Sequence, residues 1–298
     1  MRKAVAELLP RGTLLDGAMG TQLMARGLDL ASEAPESWNV ARPSEVRDIH
    51  LRYLEAGAEA IQTNTFGANA FRLAPRGLAE LGFEYNVAGA TLARDAAGRD
   101  GTVIGVLGPS GATPPPEGDA SLVALEQAFA EQALALAQGG VDLLHVETMY
   151  HPKEARAALR GCRIGAPDLP VLASFTCRLE ASGYTTGLGF SPDALVQVFV
   201  EERADALGVN CTLEPASMLD MVRDLRARTE LPLVAMPTIA PANAAPLLPG
   251  EFATGVLALH AVGADAVGGC CGTGPADIAA ARSALDEQRS RAARRASL

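Results

Sequence analysis

Positive charge is scarce in this chain. Its 25 Lys and Arg residues face 35 Asp and Glu, for a formal net charge of −10. Nucleic-acid binding depends largely on Lys and Arg neutralising phosphates, and anionic membrane surfaces attract the same residues, so neither partner is expected. The one basic run, Arg289 to Arg295, lies in a Ser- and Ala-rich stretch. It reads as a solvated tail, residues 288–298, after a globular unit spanning 1–287. No apolar run reaches about eighteen residues, the length that spans a bilayer. Near the N-terminus Glu7 and Pro10 interrupt any signal-peptide core. Five cysteines (Cys162, Cys177, Cys211, Cys270 and Cys271) do not make a disulfide framework in a chain this long. These absences point to the cytoplasm, where clustered cysteines serve metal binding or catalysis more often than cross-linking.

What is present is an alternation. A length of 298 residues allows two domains, but α/β barrels commonly run this long as one. Eight short apolar runs read as strands: Thr13–Ala18, Ala58–Asn64, Val103–Gly108, Asp142–Thr148, Val171–Cys177, Ala206–Cys211, Leu231–Met236 and Asp265–Cys271. Helix signals lie between them. Pro43 opens a segment whose apolar face is Val46, Ile49, Tyr53 and Leu54, and Ser191-Pro192-Asp193 is an N-cap followed by proline at the first helical position. Similar segments run over 124–137, 152–159, 215–226 and 275–285. Eight βα units predict an α/β fold, a single closed (β/α)8 TIM barrel with its site at the C-terminal rim of the strands.

A weak internal repeat supports that register. Gly57-Ala58-Glu59, Gly140-Val141-Asp142, Ala204-Asp205 and Gly263-Ala264-Asp265 each end a helix and open an even-numbered strand. Glycine there supplies the left-handed conformation that commonly closes a helix. Five residues after each acid come Asn64, Glu147, Asn210 and Cys270; six after come Thr65, Thr148, Cys211 and Cys271. One carboxylate and three thiols from distant parts of the chain are therefore expected to converge at the barrel rim.

Read alone, Val267-Gly268-Gly269-Cys270-Cys271-Gly272-Thr273-Gly274-Pro275 is equally a glycine-rich turn whose cysteines merely pack. Cys211 in matching register makes a metal site the better reading. Adjacent strand residues point to opposite faces, so both cysteines reach one ion only where the chain bends, and Gly268, Gly269 and Gly272 permit a bend. Three thiolates suit zinc and leave a fourth position open, as at catalytic sites. A redox pair is the lesser alternative, since adjacent cysteines close a strained ring and lack C-x-x-C spacing. An open position on a thiolate-rich zinc suits a sulfur substrate, activated as a nucleophile towards an alkyl carbon.

Four segments carry a resemblance: Leu14-Leu15-Asp16-Gly17-Ala18-Met19-Gly20-Thr21, Thr63-Asn64-Thr65-Phe66-Gly67-Ala68, Gly208-Val209-Asn210-Cys211 and Gly268-Gly269-Cys270-Cys271-Gly272-Thr273. They resemble the homocysteine S-methyltransferase family, most of all the homocysteine-binding module of cobalamin-dependent methionine synthases. The resemblance implies a zinc-dependent barrel that methylates homocysteine to methionine. It implies Cys211, Cys270 and Cys271 as zinc ligands and Glu147 as the acceptor for the substrate ammonium. Asp16 and Gly17, with the turn after strand one, would help hold the amino acid, backbone N–H groups facing its carboxylate. Each has a plainer reading: Glu147 as an ion-pair partner in the barrel mouth, Asp16 as a turn cap. Thr65 and Asn210 are substrate-side candidates or strand-end groups satisfying local backbone. His145 reads as a hydrogen-bonded core histidine, and Cys162 and Cys177 as packing residues.

The sequence departs from the family at Met236-Pro237-Thr238-Ile239-Ala240, where the methionine-synthase branch usually carries Pro-Asn-Ala-Gly. Water, Thr238 or Asn243 then stands as the resting fourth ligand. The Pro-rich loop over 238–250 is expected to reshape the donor side of the pocket. The sequence ends within one helix of strand eight, so no folate or corrinoid domain is expected in it. The methyl donor is thus either S-methylmethionine, S-adenosylmethionine or betaine, or a separate methylcorrinoid or folate protein. Two other classes fit parts of the pattern: a non-catalytic homocysteine- and zinc-binding subunit, and a lyase or isomerase cradling phosphate at Gly272-Thr273-Gly274.

Overall fold

Strands covered by helices outside and by one another inside must be apolar on both faces, and the eight runs are. In the computed structural model, which describes residues 4–181, 183–240 and 245–296, they form eight parallel strands. These are β1 (Thr13–Leu14), β2 (Ala60–Gln62), β3 (Thr102–Leu107), β4 (Leu143–Met149), β5 (Val171–Phe175), β6 (Ala206–Cys211), β7 (Leu233–Pro237) and β8 (Ala266–Val267). They pair in the order β1-β8-β7-β6-β5-β4-β3-β2. A bridge between Leu15 and Ala60 joins the two ends, giving the (β/α)8 barrel. β1 and β8 stop well short of the apolar runs that contain them. At the rim their backbone bonds continue irregularly: Asp16 N–H to the Ala60 carbonyl, Gly269 N–H to that of Asp16, Cys270 N–H to that of Pro237.

The barrel interior is layered. Its floor is apolar, built from Leu15, Ala60, Ile104, Leu143, Leu172, Ala206, Val234 and Ala266, and Val5, Leu8 and Leu9 of the N-terminal segment join the same cluster. A second, larger cluster lies between strands and helices. The helix Pro43–Glu55 buries Val46, Ile49 and Tyr53 there. Ser191 caps Pro192–Glu201, its side chain accepting the Ala194 N–H. The other expected helices run over Leu122–Gln138, Pro152–Gly165, Pro215–Arg228 and Pro275–Ala296. The last of these continues through the segment read as a tail. Its side chains are exposed up to Arg294, and Arg289 donates to the Gly12 carbonyl at 3.0 Å.

The sequence did not announce the helices Met19–Ala25, Gly82–Ala97 and Pro249–Ala261, nor the hairpin Arg178–Glu180/Gly183–Thr185. Gly82–Ala97 contains Gly89, which breaks its apolar spacing because a Cβ there would lie 2.5 Å from the Asn39 amide.

The four acids of the repeat share one task. Each carboxylate accepts the backbone N–H at the start of the preceding odd strand: Glu59 from Leu14 (2.9 Å), Asp142 from Val103 (2.8 Å), Asp205 from Val171 (2.7 Å) and Asp265 from Leu233 (2.9 Å). Each also pairs with a helix arginine, Arg282, Arg94, Arg163 and Arg226 respectively. Two residues earlier the backbone is left-handed in every copy, at Gly57 (φ 98°), Gly140 (89°), Arg203 (55°) and Gly263 (120°). These clamps lock neighbouring strands in register, and so set which residues reach the opposite rim.

Candidate active site

At that rim the three thiols meet. The sulfurs of Cys211, Cys270 and Cys271 all lie within 4.8 Å of one another. Cys211 Sγ is 3.7 Å and Cys270 Sγ 3.9 Å from Cys271 Sγ. Cys211 gets there because its φ is 68°, a left-handed conformation that non-glycine residues rarely adopt. That twist brings Cys211 and its neighbour Asn210 to the same end of the barrel. Thr148, beside Glu147, is left-handed too, with φ 61°.

The glycines around the pair divide the work differently from the expected shared bend. Gly272 alone of the three is left-handed, with φ 87°. Gly268 and Gly269 instead permit close approach. A Cβ on Gly268 would lie 2.7 Å from Leu15 Cβ and 2.9 Å from the Asp16 carbonyl, and one on Gly269 would strike Thr273 at 2.3 Å. The Cys271 carbonyl accepts from Thr238 Oγ1 (3.0 Å) and from Ile239 N–H (3.1 Å), while Ala240 N–H donates to Thr238 Oγ1 (3.2 Å). The Thr238 hydroxyl is therefore engaged with the loop backbone, against its expected place as a fourth ligand. Asn243 lies outside the described residues.

Hydrogen bonds from the Cys211 and Cys270 thiols pull Cys271 well below the ordinary thiol range. Donating to its two neighbours pushes Cys270 well above the ordinary thiol range, and burial adds to this. Three thiolate charges packed this closely require a cation.

Two buried acids flank the cluster. Burial raises Asp16 to about 7, opposed by hydrogen bonds from the Gln62 backbone (2.8 Å) and side chain (3.3 Å). Burial, with the charges of Asp16 and Cys271, raises Glu147 to about 8. A cation beside them would favour the ionised form of both carboxyls. Asn210 donates to Glu147 Oε1 (3.2 Å) and to Thr148 Oγ1 (2.7 Å). Thr65 lines the cavity, but its hydroxyl donates to the Val106 carbonyl (2.8 Å). Gly17 packs where a Cβ would lie 3.0 Å from the Thr273 carbonyl and the Tyr53 ring. Cys162 and Cys177 are buried in the outer cluster. Burial pushes both thiols up to about 12.

The N–H groups that would cradle a phosphate are already taken. Gly272 donates to Thr21 Oγ1 (3.1 Å), Thr273 to the Cys270 carbonyl (3.1 Å) and Gly274 to Asp277 Oδ2 (2.8 Å). The thiols, Glu147 and the turn after β1 instead open onto one cavity of about 570 Å³, which Glu36, Phe66, Arg72 and Arg76 also line.

Sequence reasoning read His145 as a hydrogen-bonded core histidine, as it is, but missed the rest of the polar layer beneath the thiols. Gln62, His145 and Ser174, contributed by β2, β4 and β5, join into a hydrogen-bonded chain that reaches Asn210. The available signal was a polar residue inside each of three apolar strand runs.

The family model for homocysteine S-methyltransferases matches residues 13–285. The chain is 35% identical to methionine synthase from Mycobacterium tuberculosis over 285 residues, and 33% identical to that of Mycobacterium leprae. It spans about a quarter of these relatives' length, 24% and 23% respectively, while 88% of the chain is covered. Among solved structures it is similar to the metallated form of the homocysteine methyltransferase MmuM from Escherichia coli. The TM-score is 0.75 at 29% identity, covering 91% of this chain and 95% of that one. With the model matching nearly the whole barrel, this chain belongs to the homocysteine S-methyltransferase family.

Proposed function

We propose that the chain transfers a methyl group to the sulfur of homocysteine, forming methionine, with a zinc ion held by Cys211, Cys270 and Cys271. The observation that carries this reading is the three-sulfur cluster opening onto a cavity beside two buried acids. Thiolates bound to tetrahedral zinc at about 2.3 Å stand roughly 3.8 Å apart. The observed separations of 3.7 and 3.9 Å fit that geometry. Sulfur donors also favour zinc over magnesium or calcium. Bound there, zinc supplies the charge that keeps a substrate thiol deprotonated near neutral pH. The E. coli relative, described as metallated, supports a metal in this chain too.

The chain's own residues do the rest. Glu147 and Asp16 accept hydrogen bonds from the substrate ammonium, whose charge lets both carboxyls ionise. N–H groups of the turn after β1 face the substrate carboxylate, except that of Ala18, which donates to the Thr273 carbonyl. Asn210 steadies Glu147, and Thr65 bounds the cavity beside it. The transfer forms a bond between sulfur and the methyl carbon and breaks the donor's bond to that carbon. The donor leaves with the electron pair, and the thiol proton is lost to solvent.

The cavity lining narrows the donor. Phe66 is its one aromatic ring among the described residues, and the Arg72 guanidinium already sits 5.6 Å from the ring centroid. Trimethylammonium groups are recognised by open aromatic faces, so betaine fits poorly. Arg72 and Arg76 suit a donor that carries an anion, such as the carboxylate of S-methylmethionine. Docked methylcorrinoid or folate proteins and S-adenosylmethionine belong in the same screen at fixed homocysteine.

Metal content and methionine formation, measured for wild type and Cys270→Ala, test the reading. Full zinc occupancy with undiminished activity in the variant would sink it. A non-catalytic homocysteine- and zinc-binding subunit is the second reading. It expects zinc and thiol binding with no turnover from any donor.

A further inference from the structure

Between the apolar floor of the barrel and the thiols runs one continuous hydrogen-bonded chain. We propose that His145 and Ser174 are positioning residues that, through Asn210, hold Glu147 for the substrate ammonium. This role rests on the homocysteine reading above.

The direction of every bond follows from one fixed donor. Thr148 N–H points at Asn210 Oδ1 (3.1 Å), so that atom is the amide oxygen, and the amide nitrogen faces Glu147 Oε1 (3.2 Å) and Thr148 Oγ1 (2.7 Å). Ser174 Oγ lies 2.8 Å from the same Oδ1, an acceptor, so its single proton goes there. Ser174 must then accept from His145 Nε2, 2.8 Å away. Burial keeps the ring neutral by lowering it to about 3. A neutral ring protonated on Nε2 is bare at Nδ1, which lies 2.9 Å from the Gln62 amide. The Gln62 amide is placed with its oxygen at the ring and its NH2 3.3 Å from Asp16 Oδ1, so it must turn end for end to donate to Nδ1.

The chain has no slack. His145, Ser174 and Asn210 are each at most 1% exposed, so no water replaces a lost partner. Gly208 keeps the space open, since a Cβ there would lie 3.0 Å from Ser174 Cβ. Asn210 is the one hydrogen-bond donor to Glu147 among the described residues. If Ser174 loses its hydroxyl, Asn210 can rotate, and Glu147 loses its fixed direction while the thiols stay in place.

Binding of two thiols separates this role from a merely structural one. Homocysteine and 4-mercaptobutanoate, which lacks only the amino group, are titrated into zinc-loaded wild type, Ser174→Ala, Ser174→Thr, Glu147→Gln and the Ser174→Ala/Glu147→Gln double variant. Ser174→Ala should weaken homocysteine about tenfold, the order of one buried hydrogen bond to a charged group, and leave 4-mercaptobutanoate and zinc content unchanged. Ser174→Thr should restore affinity, and Ser174→Ala should cost nothing further beside Glu147→Gln. Nitrogen shifts of the wild-type His145 ring should place its proton on Nε2. Equal loss for both thiols, additive loss in the double variant, or a proton on Nδ1 would overturn the role while leaving the homocysteine reading intact. A wild type that binds neither thiol overturns both.

Discussion

Replacing Thr238 by valine is the sharpest probe of how the loop after β7 serves the thiols. The side chain is 3% exposed, and valine keeps its shape while removing the hydroxyl. Two hydrogen bonds go: the one to the Cys271 carbonyl and the one accepted from Ala240 N–H. At about 1 kcal/mol each, less about 0.8 kcal/mol for the added buried methyl, the fold should lose roughly 1 kcal/mol. The Cys271 peptide is still held by Ile239 N–H at 3.1 Å, so the site should loosen rather than collapse. Groups that orient metal ligands typically contribute ten- to a hundredfold in affinity. Because one of two bonds remains, about tenfold weaker zinc binding is expected, read by competition with a chromophoric chelator. Thr238→Ser, which keeps the hydroxyl, should bind zinc as wild type does. Unchanged zinc affinity in Thr238→Val alongside the full stability loss would refute a role at the metal. A complete loss of zinc would instead revive Thr238 as a direct ligand.

Three other perturbations test the frame that carries the site. Arg203 holds, at φ 55°, the left-handed position that glycine fills in the other three copies of the repeat. Left-handed backbone costs a non-glycine residue about 1–2 kcal/mol, and glycine's extra unfolded freedom offsets about half of that. Arg203→Gly should therefore raise the melting temperature by about 2 °C in calorimetry, and a lower value would refute the shared backbone role. His50 is fully buried, neither ring nitrogen has a hydrogen-bond partner among the described residues, and burial holds it down to about 4 from an ordinary 6.5. The unfolded chain takes up this proton below pH 6.5 and the folded chain refuses it until about 4. Stability from His50 is thus complete above 6.5 and lost as pH falls through that window, by about 3 kcal/mol in full. Urea unfolding at pH 7 and 4.5 should show a smaller acid loss in His50→Leu than in wild type; equal losses would exclude His50 as the source. Arg72→Met should raise KM for an anion-bearing donor about tenfold and leave homocysteine binding unchanged, and an unaltered donor KM would remove Arg72 from the donor end.

The fold was legible because barrel strands, apolar on both faces, stand out as short runs whatever the helices do. The thiols were legible for a subtler reason. Acids that clamp one end of the even strands fix the register, so counting from Glu59, Asp142, Asp205 and Asp265 finds the opposite rim. That count works only where the strand is regular, and the site exploits its failures. Cys211 and Thr148 stand at odd parity to Asn210 and Glu147 and reach the same rim through left-handed backbone, which no alternation rule anticipates. Strand ends were misjudged at β1 and β8 because Leu15 to Gly17 and Gly268 to Cys271 remain apolar or small after the ladder has given way to cross-loop bonds. The polar chain was hidden for another reason. Gln62, His145, Ser174 and Asn210 each look like a lone polar residue in an apolar run, satisfied locally. Their partners lie 26 to 83 residues apart in sequence, so only closing the barrel makes them one object. The same closure explains why a buried histidine that touches no substrate is held at the centre of the barrel. Four polar side chains in its interior find their partners in one another and in Asp16, Thr148 and Glu147, and the arrangement that satisfies them also fixes the carboxylate above.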